Sequence, residues 1–419
     1  MESSERRIVA FTSSAHGLVH TYELSIPILM TVWLVEFSTT AATLGLIVTI
    51  GYGLFGVGAL PGGILVDRYG SKPLILACLA GMAGSFVLVG LSGSILLLAL
   101  AIASWGVMAS VYHPAGLALL STRVDRPGIA FGYHGIGGNL GIALGPLATA
   151  LLLLRFDWRI VSMLLAVPAL VVLVLGLFVD TTPSEVDAAV TTDGGGDERG
   201  SDTKGQVSLT AVLEDTRTLA TLAFGLVIVV VMGSGLYYRA FLTFLPDLLS
   251  GFLADLVDVE LVDPDSPHAD EFDLARYFYV GILVFGVFGQ YLGGYLADRM
   301  TIERALGYVL VTLSLLALAF VPASATTGTF VAVSVLLGVT LFTIQPLQQA
   351  AVAKHSPPGT RGLSFGYTFL AIFGVGALGA ALAGGVLTYA GAQELFVVLA
   401  VIAGVGAGVT YGLFRVDRR

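Results

Sequence analysis

The sequence predicts an all-α integral membrane protein whose twelve transmembrane helices form two pseudo-symmetric six-helix bundles. Three observations carry this reading: a charge-poor composition, twelve continuous apolar segments, and a repeat relating the first six segments to the last six. Of 419 residues, 56% are hydrophobic and 12% are charged, about half the charged share of a soluble domain. A soluble enzyme is excluded as the default. Residues 95–120 carry no formal charge, and 219–245 carry only Arg239; about 20 helical residues cross a hydrocarbon core. The runs are continuous and do not alternate at period two, which points to helices and not a barrel. Small residues let helices approach where lipid removes the usual hydrophobic drive, and 53 glycines fit that need.

In chain order the apolar segments lie near 10–36, 43–66, 73–91, 95–120, 128–154, 158–179, 218–246, 274–297, 304–323, 328–352, 361–390 and 393–415. The first has no short apolar region with a small-residue cleavage site, so it is expected to stay as a helix. Cys78 is the only cysteine and sits in the third segment, where packing is its expected role. The net charge is −9, and 18 of the 29 acidic residues fall between Asp180 and Asp215 or between Asp247 and Asp273. The first of these stretches contains a glycine-rich polar run, Asp193-Gly194-Gly195-Gly196-Asp197, that reads as a linker. The expected organisation is a bundle over 1–180, a cytoplasmic linker over 181–217, and a second bundle over 218–419 with an acidic outer loop at 247–273. Both termini are placed in the cytoplasm, because that orientation puts sixteen Lys and Arg residues inside and only Arg155, Arg159 and Arg276 outside.

Two motifs recur in the same order. Gly62-Gly63-Ile64-Leu65-Val66-Asp67-Arg68 matches Gly293-Gly294-Tyr295-Leu296-Ala297-Asp298-Arg299, and Gly128-Ile129-Ala130-Phe131-Gly132-Tyr133 matches Gly362-Leu363-Ser364-Phe365-Gly366-Tyr367. Two ordered matches imply a duplication, the layout of parallel six-helix halves with a site at mid-membrane between them. Gly63-x3-Asp67-Arg68-x-Gly70-x-Lys72 resembles the signature loop of the major facilitator superfamily. Its second copy keeps Gly294, Asp298 and Arg299 but has Thr301 in place of the glycine. The resemblance implies a gating loop whose acid faces the inner end of helix 11; a plain cytoplasmic turn is the alternative. Gly132-x8-Gly141-x3-Gly145-Pro146 is similar to that superfamily's antiporter motif, with Thr149-Ala150 replacing its closing glycine pair. Those glycines are expected to bring helix 5 against a helix of the other half, or else to form a generic packing face. His16-x3-His20-x-Tyr22-x4-Pro27, Tyr112-His113-Pro114-x-Gly116 and Gly138-Asn139-x-Gly141 resemble the fosmidomycin-resistance exporter group. An acid stands in that group's pattern where this chain has His20; this departure leaves the role of that acid open here, with Glu23 the candidate to take it.

Ionisable groups at membrane depth are costly and mark function by default. His16, His20, Glu23 and Pro27 recur at i, i+4, i+7 and i+11, so they share one helix face. Glu23, His16 and His20 are the proton-coupling candidates, unless the histidines merely contact water or backbone at a helix end. Arg239 is the one basic residue well inside the second half and needs a partner: Glu23 across the cavity, an anionic substrate, or an outward snorkel. The substrate cavity is expected to gather Tyr22, Tyr112, His113, His134, Asn139, Arg239, Gln345 and Gln349. Gln345, Gln348 and Gln349 form a polar stripe that serves either substrate or helix packing, and Trp105, Tyr133 and Tyr367 are aromatics available to an apolar ligand.

The function these readings support is a secondary active transporter of the plasma membrane, a proton-coupled exporter of a small organic compound working by alternating access. Proton-coupled uptake of a small organic anion at Arg239 is the second reading. The i, i+4 spacing of His16 and His20 leaves a histidine-based metal channel or sensor as a third. No convergent nucleophile and base is found, so no enzyme is expected, and no cofactor, resident metal or nucleic-acid partner is assigned. The expected partners are a small-molecule substrate, protons and the lipid bilayer, with the chain acting as a monomer.

Overall fold

The computed structural model describes residues 2–125, 127–181, 214, 216–256, 273–357 and 361–417. Most of the linker expected at 181–217 and most of the 247–273 loop lie outside these residues. Among them are twelve helices long and apolar enough to cross a membrane: α1 (Ser3–Glu36), α2 (Ala41–Val66), α3 (Ser71–Gly90), α4 (Ile95–Arg123), α5 (Ala130–Leu153), α6 (Trp158–Leu177), α7 (Leu222–Leu253), α8 (Leu274–Arg299), α9 (Ile302–Ala323), α10 (Thr327–His355), α11 (Gly366–Tyr389) and α12 (Ala392–Val416). Twelve crossings return the chain to the side on which it starts, called here the inner side. The first helix begins before its apolar stretch because the Glu5 carboxylate accepts from the backbone N–H groups of Glu2 and Asp125, both at 2.7 Å.

Proline explains where the helices break. A proline cannot donate to the carbonyl four residues back, and its ring crowds that carbonyl. Helical geometry is interrupted after Val57, Ser110 and Leu164, the residues four before Pro61, Pro114 and Pro168. The break in α4 sets Tyr112 and His113 at the start of a new helical stretch, Tyr112–Arg123. In α11, Leu370–Val375 forms a wide π turn, a distortion often found at functional sites.

Glycine sets the helix pairing, and the pairing repeats in the two halves. A Cβ at Gly141 would lie 1.9 Å from the Gly17 carbonyl oxygen, and one at Gly376 2.9 Å from Gly235, so α1 meets α5 as α7 meets α11. A Cβ at Gly106 would lie 2.0 Å from the Gly51 carbonyl, and one at Gly289 2.1 Å from the Val339 carbonyl, so α2 meets α4 as α8 meets α10. This corrects one expectation: the α5 motif packs against α1 of its own half, not against the other half. Gly145 abuts Thr21 and Gly132 has open space beside it, while Thr149 donates to the Ser25 hydroxyl at 2.7 Å. Gly141→Val therefore forces whole helices apart and is expected to destabilise the fold by about 1–3 kcal/mol or more, whereas Gly132→Ala stays near neutral. Thermal unfolding in detergent measures both; equal melting of the two variants would refute the pairing.

The halves join mainly along α2 and α11. Thr49 donates to the Ala377 carbonyl at 3.0 Å and accepts from the Ala381 N–H at 2.9 Å, and the Ala42 N–H reaches Thr388 at 2.9 Å. At the centre, a Cβ on Gly56 would lie 2.1 Å from the Gly374 nitrogen in the π turn. On the outer side, Arg276 of α8 donates to Thr31 of α1 at 3.3 Å.

Candidate functional site

The centre of the molecule holds a buried charge pair between the halves. Glu23 of α1 and Arg239 of α7 are 1% and 3% exposed, and an Arg239 Nη2–H donates to Glu23 Oε1. The guanidinium lies 3.7 Å from the Tyr52 ring centre, and the Tyr52 hydroxyl donates to the Glu23 backbone carbonyl at 3.0 Å. Tyr52 therefore holds the Arg239 charge through its ring and the Glu23 backbone through its hydroxyl. The other oxygen of Glu23 meets His20 Nδ1 at 2.6 Å.

From Glu23 the polar groups continue toward the inner side. His20 Nε2 is 3.1 Å from His16 Nε2, and His16 Nδ1 is 2.7 Å from the His134 carbonyl oxygen. A carbonyl only accepts, so His16 Nδ1 carries the hydrogen. The rings of His16 and His134 stack at 3.9 Å. Tyr112 donates its single hydroxyl hydrogen to the Thr12 carbonyl, so at its 3.1 Å contact with His134 the imidazole Nε2–H is the donor. These groups reach from Glu23 to Thr12 along 11 residues of α1, about 16 Å of helix. His113 faces the other half: its ring stacks on Phe369 at 5.6 Å and Phe373 at 5.7 Å, both from α11. One nitrogen from each of His16, His20 and His113 lies within 4.8 Å of the other two.

A second polar link crosses between the halves. Asn139 of α5 donates to Gln290 of α8 at 2.8 Å, and Gln290 donates to Gln345 of α10 at 3.1 Å. Gln349 is exposed one turn beyond, but Gln348 is buried on another side of α10, so the expected single stripe is divided. Tyr22 also departs from expectation: its hydroxyl donates to the Leu165 carbonyl at 3.0 Å and its ring meets Phe86, inside the first bundle. It follows Thr21 and precedes Glu23 by one helical step of about 100°, which turns it from the cavity. Tyr133 lines a groove of about 790 Å³ with Gly17, Thr21, Gly137 and Gly141, and Tyr367 bonds Thr216 at 2.9 Å. Trp105 stacks with Phe55 and backs Tyr52 at 5.7 Å.

Sequence reasoning missed Tyr52, Gln290 and Phe373. Gln290 was visible as a lone amide within an apolar segment; nothing in the sequence marks Tyr52 or Phe373 among the many membrane aromatics.

In the loop after α2, Gly70 has φ +83°, where an L side chain is strained. Thr301 has φ −64°, so the second copy makes its turn without glycine. Lys72 donates to the Leu177 and Val179 carbonyls at 3.0 and 2.6 Å, a favourable cation at the end of α6. Gly63 and Gly294 have open space beside them. Arg68 and Arg299 lie over the rings of Tyr69 and Tyr295. The Asp67 side chain is outside the described residues, so its expected latch to α11 is untouched, and Asp298 forms no part of the central cluster.

Comparison with known proteins agrees with this architecture. The sequence profile of the Major Facilitator Superfamily matches residues 13–380 and again 278–419. The chain is 37% identical over 137 residues to the multidrug resistance protein MdtG of Citrobacter koseri, covering 32% of this chain and 33% of that one. It is 36% identical over 108 residues to the puromycin resistance protein pur8 of Streptomyces alboniger, covering 25% and 22%. The aligned stretches thus span between about a fifth and a third of these relatives. In fold it is similar to a bacterial homologue of the human lysosomal transporter Spinster in an inward-facing, unoccupied conformation, with TM-score 0.73, 15% identity and coverage of 99% and 98%. It is likewise similar to the nucleoside transporter NupG, with TM-score 0.72, 16% identity and coverage of 98% and 99%. The chain belongs to the Major Facilitator Superfamily of secondary transporters and is a multi-pass membrane protein, not an enzyme.

Proposed function

We propose that the protein is a proton-coupled exporter that exchanges protons for a small organic compound by alternating access. The observation that carries this reading is the Glu23–Arg239 pair, with one charge on each half and both buried. When the halves rock apart, each charge needs a new partner, because an unpaired buried charge is costly. A proton neutralises Glu23, and the polar groups from His20 to Tyr112 give that proton a route toward the cytoplasm, where both termini are placed. Arg239 already has a carboxylate in this state, which favours a coupling role over a dedicated anion site and so favours export over anion uptake. The drug-resistance names of MdtG and pur8 supply a first test compound, puromycin. In proteoliposomes holding the monomeric protein, an imposed pH gradient is expected to drive puromycin, or another of a panel of organic cations and neutral antibiotics, against its concentration. Movement of the whole panel that ignores the pH gradient would defeat the reading.

A further inference from the structure

We propose that His16, His20 and His113 form a binding site for a divalent transition-metal ion of the zinc class. Two imidazoles from α1 and one from α4 converge, with Nε2 of His16 and Nε2 of His20 already 3.1 Å apart and a nitrogen of His113 within 4.8 Å of both. Nitrogen ligands about 2.0–2.1 Å from a tetrahedral metal lie roughly 3.3 Å from one another. The His16–His20 pair has that spacing, and the His113 nitrogen, within 4.8 Å, has to move closer to join it.

Two further features make this a built site. His113 is 7% exposed, and its Nε2 is buried without a hydrogen-bond partner, although a buried polar atom normally has one. Each histidine of the α1 pair is also held from behind: His20 Nδ1 by the Glu23 carboxylate at 2.6 Å and His16 Nδ1 by the His134 carbonyl at 2.7 Å. Metal-bound imidazoles are oriented this way, by a carboxylate or a carbonyl on the far nitrogen. Three imidazoles with no thiolate select zinc, cobalt, nickel or copper over magnesium or calcium, and they leave a fourth position open. In the metal-free chain a single N–H bridges His16 and His20. An incoming ion takes both lone pairs and releases that proton.

The other cluster with metal-ligand residues among the described residues, Glu303, His355 and Asp417, is occupied by an ammonium: Lys354 Nζ sits 2.8 Å from Glu303 and 2.6 Å from Asp417. It is an ion-pair knot. At the histidine site, by contrast, bound metal would hold His20 and block its exchange with Glu23. That consequence for transport, unlike the binding itself, rests on the proton-coupled reading above.

The test titrates cobalt(II), as a spectroscopic stand-in for zinc, into the purified full-length protein after chelator treatment. One cobalt per chain is expected, with the visible spectrum of a tetrahedral nitrogen site and release of roughly one proton per ion. Binding is expected to be lost in His20→Ala and in His113→Phe, which keeps a ring against Phe369 and Phe373, and retained in His355→Ala and Cys78→Ser. Absence of saturable binding, survival of binding in His113→Phe, or its loss in His355→Ala would each overturn the site. Because cobalt binding is read without transport, its failure is separate from failure of the proton-coupled reading, which the Glu23 variants decide.

Discussion

Glu23→Gln is expected to abolish transport driven by a pH gradient while substrate exchange between compartments of equal pH continues. Glutamine keeps the size of the side chain and an oxygen for Arg239, and its amide can donate to His20 Nδ1 after a tautomer change in that ring. What it lacks is a group that takes and releases a proton. Arg239 remains over the Tyr52 ring, so the cationic side retains one of its contacts and the bundles retain the α2–α11 seam. The measurement is paired: uphill uptake into proteoliposomes under a pH gradient, and counterflow without one. Glu23→Asp, which keeps the titrating group on a shorter arm, should restore part of the uphill component. If the glutamine variant still concentrates substrate, the proton moves through another group, with His20 and His134 the next to replace.

That expectation was reachable from the sequence, and the reason is periodicity. The i, i+4, i+7 spacing of His16, His20 and Glu23 fixes a shared face without knowledge of the neighbours, and a lone arginine in an apolar second half calls for a carboxylate. Duplication placed α1 and α7 as counterparts, which made Glu23 one of the three partners open to Arg239, beside an anionic substrate and an outward snorkel. Spacing does not say what faces a surface, however. The α5 glycines read as close-packing residues, yet their partner is Gly17 and Thr21 of α1, which only the three-dimensional arrangement reveals. Tyr22 was placed in the cavity as part of the His16-x3-His20-x-Tyr22 motif, although one residue from Glu23 turns a side chain by about 100° around a helix. The convergence of His113 with the α1 histidines depends on the break that Pro114 makes in α4. Tyr52 and Phe373 lay hidden because aromatic residues are common in membrane helices and these two bear no distinguishing neighbour.

Arg239→Ala is expected to be the most destabilising single change at the site. It leaves the Glu23 carboxylate, 1% exposed, beside His20 and the Tyr52 ring with no permanent cation, and breaking one side of a buried pair costs roughly 3–5 kcal/mol. Removing both charges avoids that stranding. Glu23→Gln combined with Arg239→Ala should therefore melt at higher temperature than Arg239→Ala alone, and the non-additivity of the cycle measures the coupling between the halves. Arg239→Lys separates charge from shape. Lysine restores a cation but not the planar fork, and its compact, strongly hydrated ammonium stacks poorly on an aromatic ring, so it should recover only part of the lost stability. The same three proteins bear on function: if Arg239 is freed for substrate when Glu23 is protonated, Arg239→Lys weakens an anionic ligand more than a neutral one. Arg239→Ala that melts like the double variant, with unchanged binding of both ligands across pH, would reduce Arg239 to a helix anchor. The coupling scheme built on the pair would then have to be abandoned.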